Sequence, residues 1–94
     1  MGTLAFVAGN TGRHADAVEH LRQAVALWRS VGNPSQEADM LIRLGGEHAA
    51  LGDHRQARRI WQQTLRMLRD QRRGSDVAEL EPRLAALERS TPDG

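Results

Sequence analysis

Apolar residues recur at helical spacing along the chain, separated by short breaks that contain glycine. Ala17, Leu21, Ala24, Trp28 and Val31 stand four, three, four and three positions apart, which is typical of the buried face of an amphipathic helix. This stripe predicts a helix over about residues 13–31.

Three further stripes predict helices over about residues 35–51, 53–73 and 76–89. Their apolar positions are Leu41, Leu44, His48 and Leu51; Ala57, Trp61, Thr64 and Leu68; and Val77, Leu80, Leu84 and Leu87. Pro82 lies inside the last stripe, where its missing N–H removes a backbone hydrogen bond, so we expect a kink or a late helix start.

The breaks between the stripes contain residues typical of helix ends. "VGNPS" predicts Ser35 as an N-cap after Pro34, and "LGDH" predicts Gly52 in a left-handed conformation followed by Asp53 as the next N-cap. "RRGSD" predicts Gly74 as the end of the third of these helices.

The chain repeats itself without gaps after a shift of 40 residues. Identical pairs are Leu4/Leu44, Gly12/Gly52, His14/His54, Ala17/Ala57, Gln23/Gln63, Arg29/Arg69, Ser35/Ser75, Ala38/Ala78, Arg43/Arg83 and Leu44/Leu84. The repeat predicts one domain over residues 1–90, with a truncated repeat (1–33), a full repeat (34–73) and a terminal capping helix (75–90), followed by a disordered tail (91–94).

The full repeat resembles a tetratricopeptide repeat. Leu44 and Gly45 match the Leu-small pair of that family, Gly52 its turn glycine, Ala57 its small residue and Trp61 its large residue in the second helix. Gly12, Ala17 and Leu21 match the same positions in the truncated repeat. The resemblance implies an all-α, TPR-like α-solenoid fragment of about five antiparallel helices, the first truncated. His48 and Thr64 depart from the family pattern, as does the absence of its closing proline.

The 40-residue period and the "ALGDH..AR..W" pattern also resemble the C-terminal repeats of actinobacterial antibiotic-regulatory-protein-type transcriptional regulators. This resemblance implies a module that binds or senses a partner within a signalling or transcriptional regulator.

Composition agrees with a helical domain: Ala, Leu and Arg dominate and β-branched residues are few. All 13 basic residues are arginine, but the net charge is only +1, which argues against a general polyanion binder. There is no cysteine, no apolar run of bilayer length and no signal-peptide pattern, so we expect a cytoplasmic protein without membrane contact.

No pattern indicates catalysis, a cofactor or a metal site. The four histidines lack ligand spacing, and His48 fits better as a packed inter-helix residue. Gly45 and Gly46 each cost about 1 kcal/mol relative to alanine inside a helix. That cost suggests close packing at Gly45 and an open position at Gly46; the alternative is that both simply provide space.

The resemblance places a partner-binding surface on the concave side, formed by the first helix of each pair. Its expected residues are Phe6, Asn10, Asp39, Ile42, Arg43, Gly46, Ala50 and Arg83, with Glu79, Pro82 and Ala86 nearby. Arg43 and Arg83 would bind a carboxylate or an acidic peptide; the alternative is a solvated salt bridge between repeats.

The sequence therefore predicts a non-catalytic protein–protein interaction module that binds a peptide or partner helix. One alternative is nucleic-acid contact through the Arg-rich helix at residues 53–73, although the equivalent "GRHADAVEHL" lacks those arginines. Another is a homo-oligomerisation element, since a truncated first repeat exposes an apolar end that a second copy would cover.

Overall fold

The computed structural model describes the backbone of residues 2–90 and the side chains of residues 13–89. Within that part of the chain the fold has four α-helices and no strand: α1 (Gly2–Ser30), α2 (Pro34–Ala50), α3 (His54–Asp70) and α4 (Gly74–Ser90). Each helix packs mainly on the next, and the three-residue connections make neighbours antiparallel. The expected all-α helical-repeat architecture is confirmed. The expected tail at residues 91–94 lies outside the described residues.

The turns follow a strict 20-residue spacing. Gly32, Gly52 and Arg72 all adopt positive φ, at 73°, 80° and 56°. Gly52 was predicted to do so, whereas the prediction of Gly74 as a stop is wrong, because Gly74 is the first residue of α4.

Two side chains cap the helices that follow these turns. Asn33 Oδ1 accepts a hydrogen bond from the Gln36 N–H at 3.1 Å, and Asp53 Oδ1 accepts one from the Gln56 N–H at 3.4 Å. Asp53 was predicted. The prediction of Ser35 is wrong, because Asn33 caps α2 and Pro34 occupies its first turn, where a missing N–H costs nothing.

The predicted turn at Gly12 is not formed, and this reduces the expected five helices to four. Helix α1 runs unbroken through Gly12 to Ser30. The repeat supplies a reason: Gly52 is followed by the capping Asp53, whereas Gly12 is followed by Arg13, which has no acceptor to cap a new helix. A continuous helix keeps those backbone groups paired.

Two apolar clusters hold the stack together. The larger comprises Ala38, Ala57, Trp61, Leu65, Leu68, Leu80, Leu84 and Leu87; the smaller comprises Val25, Leu41 and Leu44. The larger joins α2, α3 and α4, and the smaller joins α1 to α2. Helix α2 therefore lies at the centre of the fold and carries side chains of both clusters.

Helix α4 continues through Pro82 from Gly74 to Ser90, so the expectation of a late start is wrong. Pro82 is exposed, and the buried face of α4 is formed by Leu80, Leu84 and Leu87. These leucines belong to the larger apolar cluster, so the proline is accommodated on the solvent side.

Replacing Arg72 with glycine is expected to stabilise the protein. A non-glycine residue in the left-handed region is strained, and glycine relieves that strain at the cost of a more flexible unfolded chain, leaving a net gain of about 0.5–1 kcal/mol. The midpoint of urea unfolding, followed by far-UV circular dichroism, should rise. Gly52→Ala is the matched control: no atom lies within 4 Å of an added Cβ, so the loss of about 1 kcal/mol expected there is conformational alone. A lower midpoint for Arg72→Gly would contradict the conclusion that the backbone at Arg72 is strained.

Candidate functional site

Trp61 of α3 approaches α2 directly over Gly45. A Cβ at Gly45 would stand 2.2 Å from Trp61 Nε1, a distance no real contact allows. The indole N–H donates a hydrogen bond to the Ile42 carbonyl at 3.0 Å, and Trp61 is almost fully buried. The predicted close packing at Gly45 is therefore present, and it fixes the position of the indole.

The fixed indole supports an arginine from α4. The guanidinium carbon of Arg83 lies 4.8 Å from the centre of the Trp61 ring, within the range of a cation–π contact. A Cβ at Gly46 would lie 3.5 Å from Arg83 Nη2, an ordinary contact. Trp61 and Gly46 thus locate the Arg83 guanidinium between α2 and α4.

A groove between α2 and α4 opens around this guanidinium. One part, about 330 Å³, is lined by Ile42, Arg43, Gly46, Glu47 and Arg83. A second part, about 460 Å³, is lined by Ala49, Trp61, Arg83, Ala86 and Leu87. Arg83 belongs to both parts. We call the two together the α2–α4 groove; it has an arginine-rich end and an apolar end.

Within the described side chains, the two arginines of the groove have no ion pair. Both Arg43 and Arg83 are exposed. The one carboxylate on the rim, Glu47, lies 2.6 Å from His14 Nδ1 of α1. The groove therefore presents two exposed guanidinium groups.

The structure separates the expected partner-binding residues into three groups. Ile42, Arg43, Gly46 and Arg83 line the α2–α4 groove, as does Ala86. Asp39 and Ala50 line neither part, and neither do Glu79 and Pro82. The side chains of Phe6 and Asn10 lie outside the described residues.

Asp39 is engaged by Arg73, which replaces a capping residue at the start of α4. Arg73 Nη2 lies 2.5 Å from Asp39 Oδ1, and Arg73 Nε donates to Asp76 Oδ2 at 2.8 Å. Arg73 also donates to the Ser35 carbonyl at 3.1 Å. These contacts tie the third turn to the start of α2 and make Asp39 a structural residue.

The pKa of Arg73 is raised above its ordinary value, first by the hydrogen bond to Asp39 and then by Asp76, against the opposing effect of burial. A raised pKa means that the stabilisation is present at all lower pH and is lost only as pH rises through that pKa. Since arginine keeps its charge far above neutral pH, Arg73 itself adds no pH dependence near neutrality.

The Arg-rich face of α3 is only partly available to a ligand. Arg69 Nη2 donates to Glu81 Oε2 at 2.6 Å. The helix ends at Asp70, not at residue 73 as expected, so Arg73 lies in the turn after α3, where it is held as described. Arg55, Arg59 and Arg66 are exposed. A shallow pocket of about 450 Å³ on this face is lined by Gln56, Arg59, Ile60, Gln62, Gln63 and Arg66. The arginines here are therefore divided between inter-helix ion pairs and open surface.

The side chain of His48 is only 12% exposed. Its Nδ1 is buried, has no hydrogen-bond partner among the described residues and lies 3.6 Å from Asp53 Oδ2. Across the described side chains, no three histidine, aspartate or glutamate groups converge as metal ligands would. In residues 2–90 no helix combines the length and apolar character required to cross a bilayer.

Sequence reasoning missed several features of the groove. Ala49 and Leu87 form its apolar end, and Trp61, expected only as a packing anchor, also forms a wall that contacts Arg83. Glu47 on the rim was also missed. The position 40 residues after Ala49 is Arg89, so the internal repeat does not indicate an apolar surface at this end of the groove.

Comparison with known proteins relates most of the chain to a family. A family model described as tetratricopeptide repeat matches residues 1–70 of the 94-residue chain. No curated protein and no solved structure matches significantly. Repeats of the matched family generally mediate protein–protein interaction.

Proposed function

Because the chain belongs to the tetratricopeptide repeat family, we propose that it is a non-catalytic interaction module whose α2–α4 groove binds a peptide or partner helix. The observation that carries this proposal is the pair of exposed arginines, Arg43 and Arg83, lining one pocket beside an apolar surface. Guanidinium groups recognise carboxylates in a bidentate manner. The bound segment therefore has an acidic side chain at the arginine end.

The apolar end sets a second requirement for the partner. Ala86 is exposed and Ala49 is half-buried, so the two present aliphatic surface next to Arg83. A segment that places a leucine-sized side chain near its acidic residue would bury that surface while its carboxylate reaches the arginines. The partner class we infer is an acidic, amphipathic segment.

Binding is tested with a library of acidic amphipathic peptides and fluorescence polarisation. Arg43→Glu is expected to weaken the best peptide at least tenfold, since one charge-assisted hydrogen bond contributes about 1.5–3 kcal/mol. Arg43 has no ion pair among the described side chains, so its reversal should leave the fold intact. Arg59→Glu on α3 changes the net charge equally and is the matched control. Equal losses of peptide affinity in the two variants would show that the peptide does not bind in the α2–α4 groove.

Nucleic-acid contact through residues 53–73 is the competing function, and it depends on a different surface. A DNA duplex is the probe: binding that falls steeply with salt and is lost in Arg59→Glu, but not in Arg43→Glu, supports the alternative. We favour the groove because Arg69 and Arg73 already bond to Glu81, Asp39 and Asp76.

We further propose that the module serves within a bacterial signalling or transcriptional regulator. The 40-residue, Arg- and Ala-rich repeat supports this context through its resemblance to such regulators. Sequencing the flanking gene tests it: a DNA-binding or ATPase domain beside the repeats is expected, and an unrelated enzyme domain would oppose it.

A second copy of the chain is also proposed as a protein partner, at the N-terminal end of the stack. Exposed apolar residues on and after α1 support this homodimer: Leu27 and Val31 are 59% and 60% exposed. Light scattering at increasing protein concentration tests the homodimer. A mass that stays at the monomer value would contradict it.

A further inference from the structure

The two ends of the α2–α4 groove are separated by a short, defined distance along α2. The arginine-rich end is lined by Ile42, Arg43, Gly46 and Glu47 of this helix, and the apolar end by Ala49. At 1.5 Å per residue, Gly46 and Ala49 are about 4.5 Å apart along the helix axis. The lining of α2 therefore changes from charged to apolar within one helical turn.

Helix α4 shows the same change in the same direction. Arg83 lines both ends of the groove, whereas Ala86 and Leu87 line only the apolar end. These two positions lie about 4.5 and 6 Å beyond Arg83 along the α4 axis. Because neighbouring helices of the stack are antiparallel, α2 and α4 run in the same direction. The groove thus has a charged part followed, one helical turn later, by an apolar part.

The backbone of the groove favours a helical ligand over an extended one. All lining residues of α2 and α4 belong to helices, whose interior N–H and C=O groups are hydrogen-bonded within the helix. An extended segment would leave the backbone groups that face the groove without protein partners. A helical segment pairs its own backbone groups and needs only side-chain contacts.

Small side chains along the groove leave room for a helix to approach. Gly46 has no side chain, and a Cβ added there would meet only Arg83 Nη2, at 3.5 Å. Ala49 on α2 and Ala86 on α4 extend by one methyl group each. Close approach matters because the apolar end is shallow, and a leucine-sized side chain reaches it only from a nearby backbone.

We propose that the groove binds a helical segment carrying an acidic and an apolar side chain one turn apart. This inference rests on the proposed function and specifies the pattern that the partner must show. Side chains at positions i and i+3 or i+4 of a helix lie on one face, about 5–6 Å apart. That separation matches the separation of the two ends of the groove. The carboxylate then reaches Arg43 and Arg83 while the apolar side chain covers Ala49 and Ala86.

Arg83 is the residue that sets this spacing. Its guanidinium carbon lies 4.8 Å from the centre of the Trp61 ring, and the Trp61 indole is itself fixed by its hydrogen bond to the Ile42 carbonyl. Since Arg83 also lines both ends of the groove, a carboxylate bound to it has a defined position relative to the apolar surface.

Uncharged helical peptides built from alanine and glutamine test the spacing. Each peptide carries one glutamate and one leucine, in either order, separated by two, three, four or five positions. At separations of three and four the two side chains share a face, whereas at two and five they point to different faces. Fluorescence polarisation is expected to show at least tenfold tighter binding for three and four, since burying one leucine is worth that factor or more.

A central proline tests whether the ligand is a helix. Placed between glutamate and leucine in the peptide with a separation of four, proline breaks the helix and keeps the same two side chains. This peptide is expected to bind at least tenfold more weakly than its parent. Equal affinity would overturn the helical ligand.

Two substitutions on α4 test the contact made by the leucine. Ala86→Gln places a longer polar side chain in the apolar end, and because Ala86 is exposed the fold should stay intact. The variant is expected to bind the parent peptide no better than a peptide whose leucine is replaced by alanine. Ala78→Gln is the matched control, since Ala78 is also exposed on α4 but lines neither end of the groove.

The outcomes separate the spacing from the groove itself. Equal affinities at all four separations, with binding still lost in Arg43→Glu, would overturn the spacing and leave the α2–α4 groove as the binding site. Equal losses in Ala86→Gln and Ala78→Gln would show that the leucine does not contact the apolar end. If no peptide binds at the highest soluble concentration, or if Arg43→Glu and Arg59→Glu lose affinity equally, both the spacing and the proposed function are wrong.

Discussion

Replacing Gly45 with alanine is expected to destabilise the protein by about 2–3 kcal/mol, the upper range of overpacking after the gain in helix propensity is included. The added Cβ would stand 2.2 Å from Trp61 Nε1 and 2.4 Å from Cδ1. The indole cannot withdraw without breaking its hydrogen bond to the Ile42 carbonyl. Urea unfolding followed by far-UV circular dichroism measures the loss.

Gly46→Ala is the matched control, since the two glycines are adjacent in α2 and lose the same backbone freedom. At Gly46 the nearest atom to the new Cβ is Arg83 Nη2, at 3.5 Å. Helix propensity then dominates, and stability should rise by about 1 kcal/mol. Similar shifts of the same sign for both variants would show that Gly45 has no special contact with Trp61.

Trp61→Ala should cause the largest loss, about 3–5 kcal/mol, because it empties a large site in the main apolar cluster. A domain of this size has a total stability of about 5–10 kcal/mol, so the variant approaches the unfolded state at moderate temperature. Trp61→Phe retains most of the ring and removes the N–H donor, so its loss should be near 1–2 kcal/mol.

The double variant Gly45→Ala/Trp61→Ala tests whether the two residues act as one unit. Without the indole, the Cβ at position 45 no longer meets an obstacle, and alanine should then add helix propensity. The double variant is expected to be no less stable than Trp61→Ala alone. Additive losses would contradict the direct contact, since residues that do not touch usually contribute independently.

The α2–α4 groove was partly predictable because the repeat fixes the register of α2 and α4. Arg43 and Arg83 are 40 residues apart, so both were expected on one surface, and both line one pocket. Asp39 was expected there as well. Its carboxylate bonds Arg73, and nothing in local periodicity shows that a turn residue 34 positions away reaches it.

The turns show what local chemistry can and cannot determine. Gly52 and Asp53 were predicted, since glycine at positive φ and aspartate as an N-cap are local preferences. Arg72 was missed because arginine has no such preference; only the 20-residue spacing from Gly32 and Gly52 indicates it. The continuous helix at Gly12 was missed because a turn glycine alone does not start a new helix. Arg13, which follows it, cannot act as an N-cap in the way that Asp53 does.

The contact between Arg83 and Trp61 provides a way to detect a ligand at Arg83 through the fluorescence emission of Trp61. Indole emission responds to nearby charge, and the Arg83 guanidinium lies 4.8 Å from the centre of the Trp61 ring. A carboxylate that neutralises Arg83 would alter the electric field at the indole and shift its emission. The chain has two tryptophans, so replacing Trp28 with phenylalanine would leave a signal from the groove alone. Occupancy could then be followed in unlabelled protein by ultraviolet excitation.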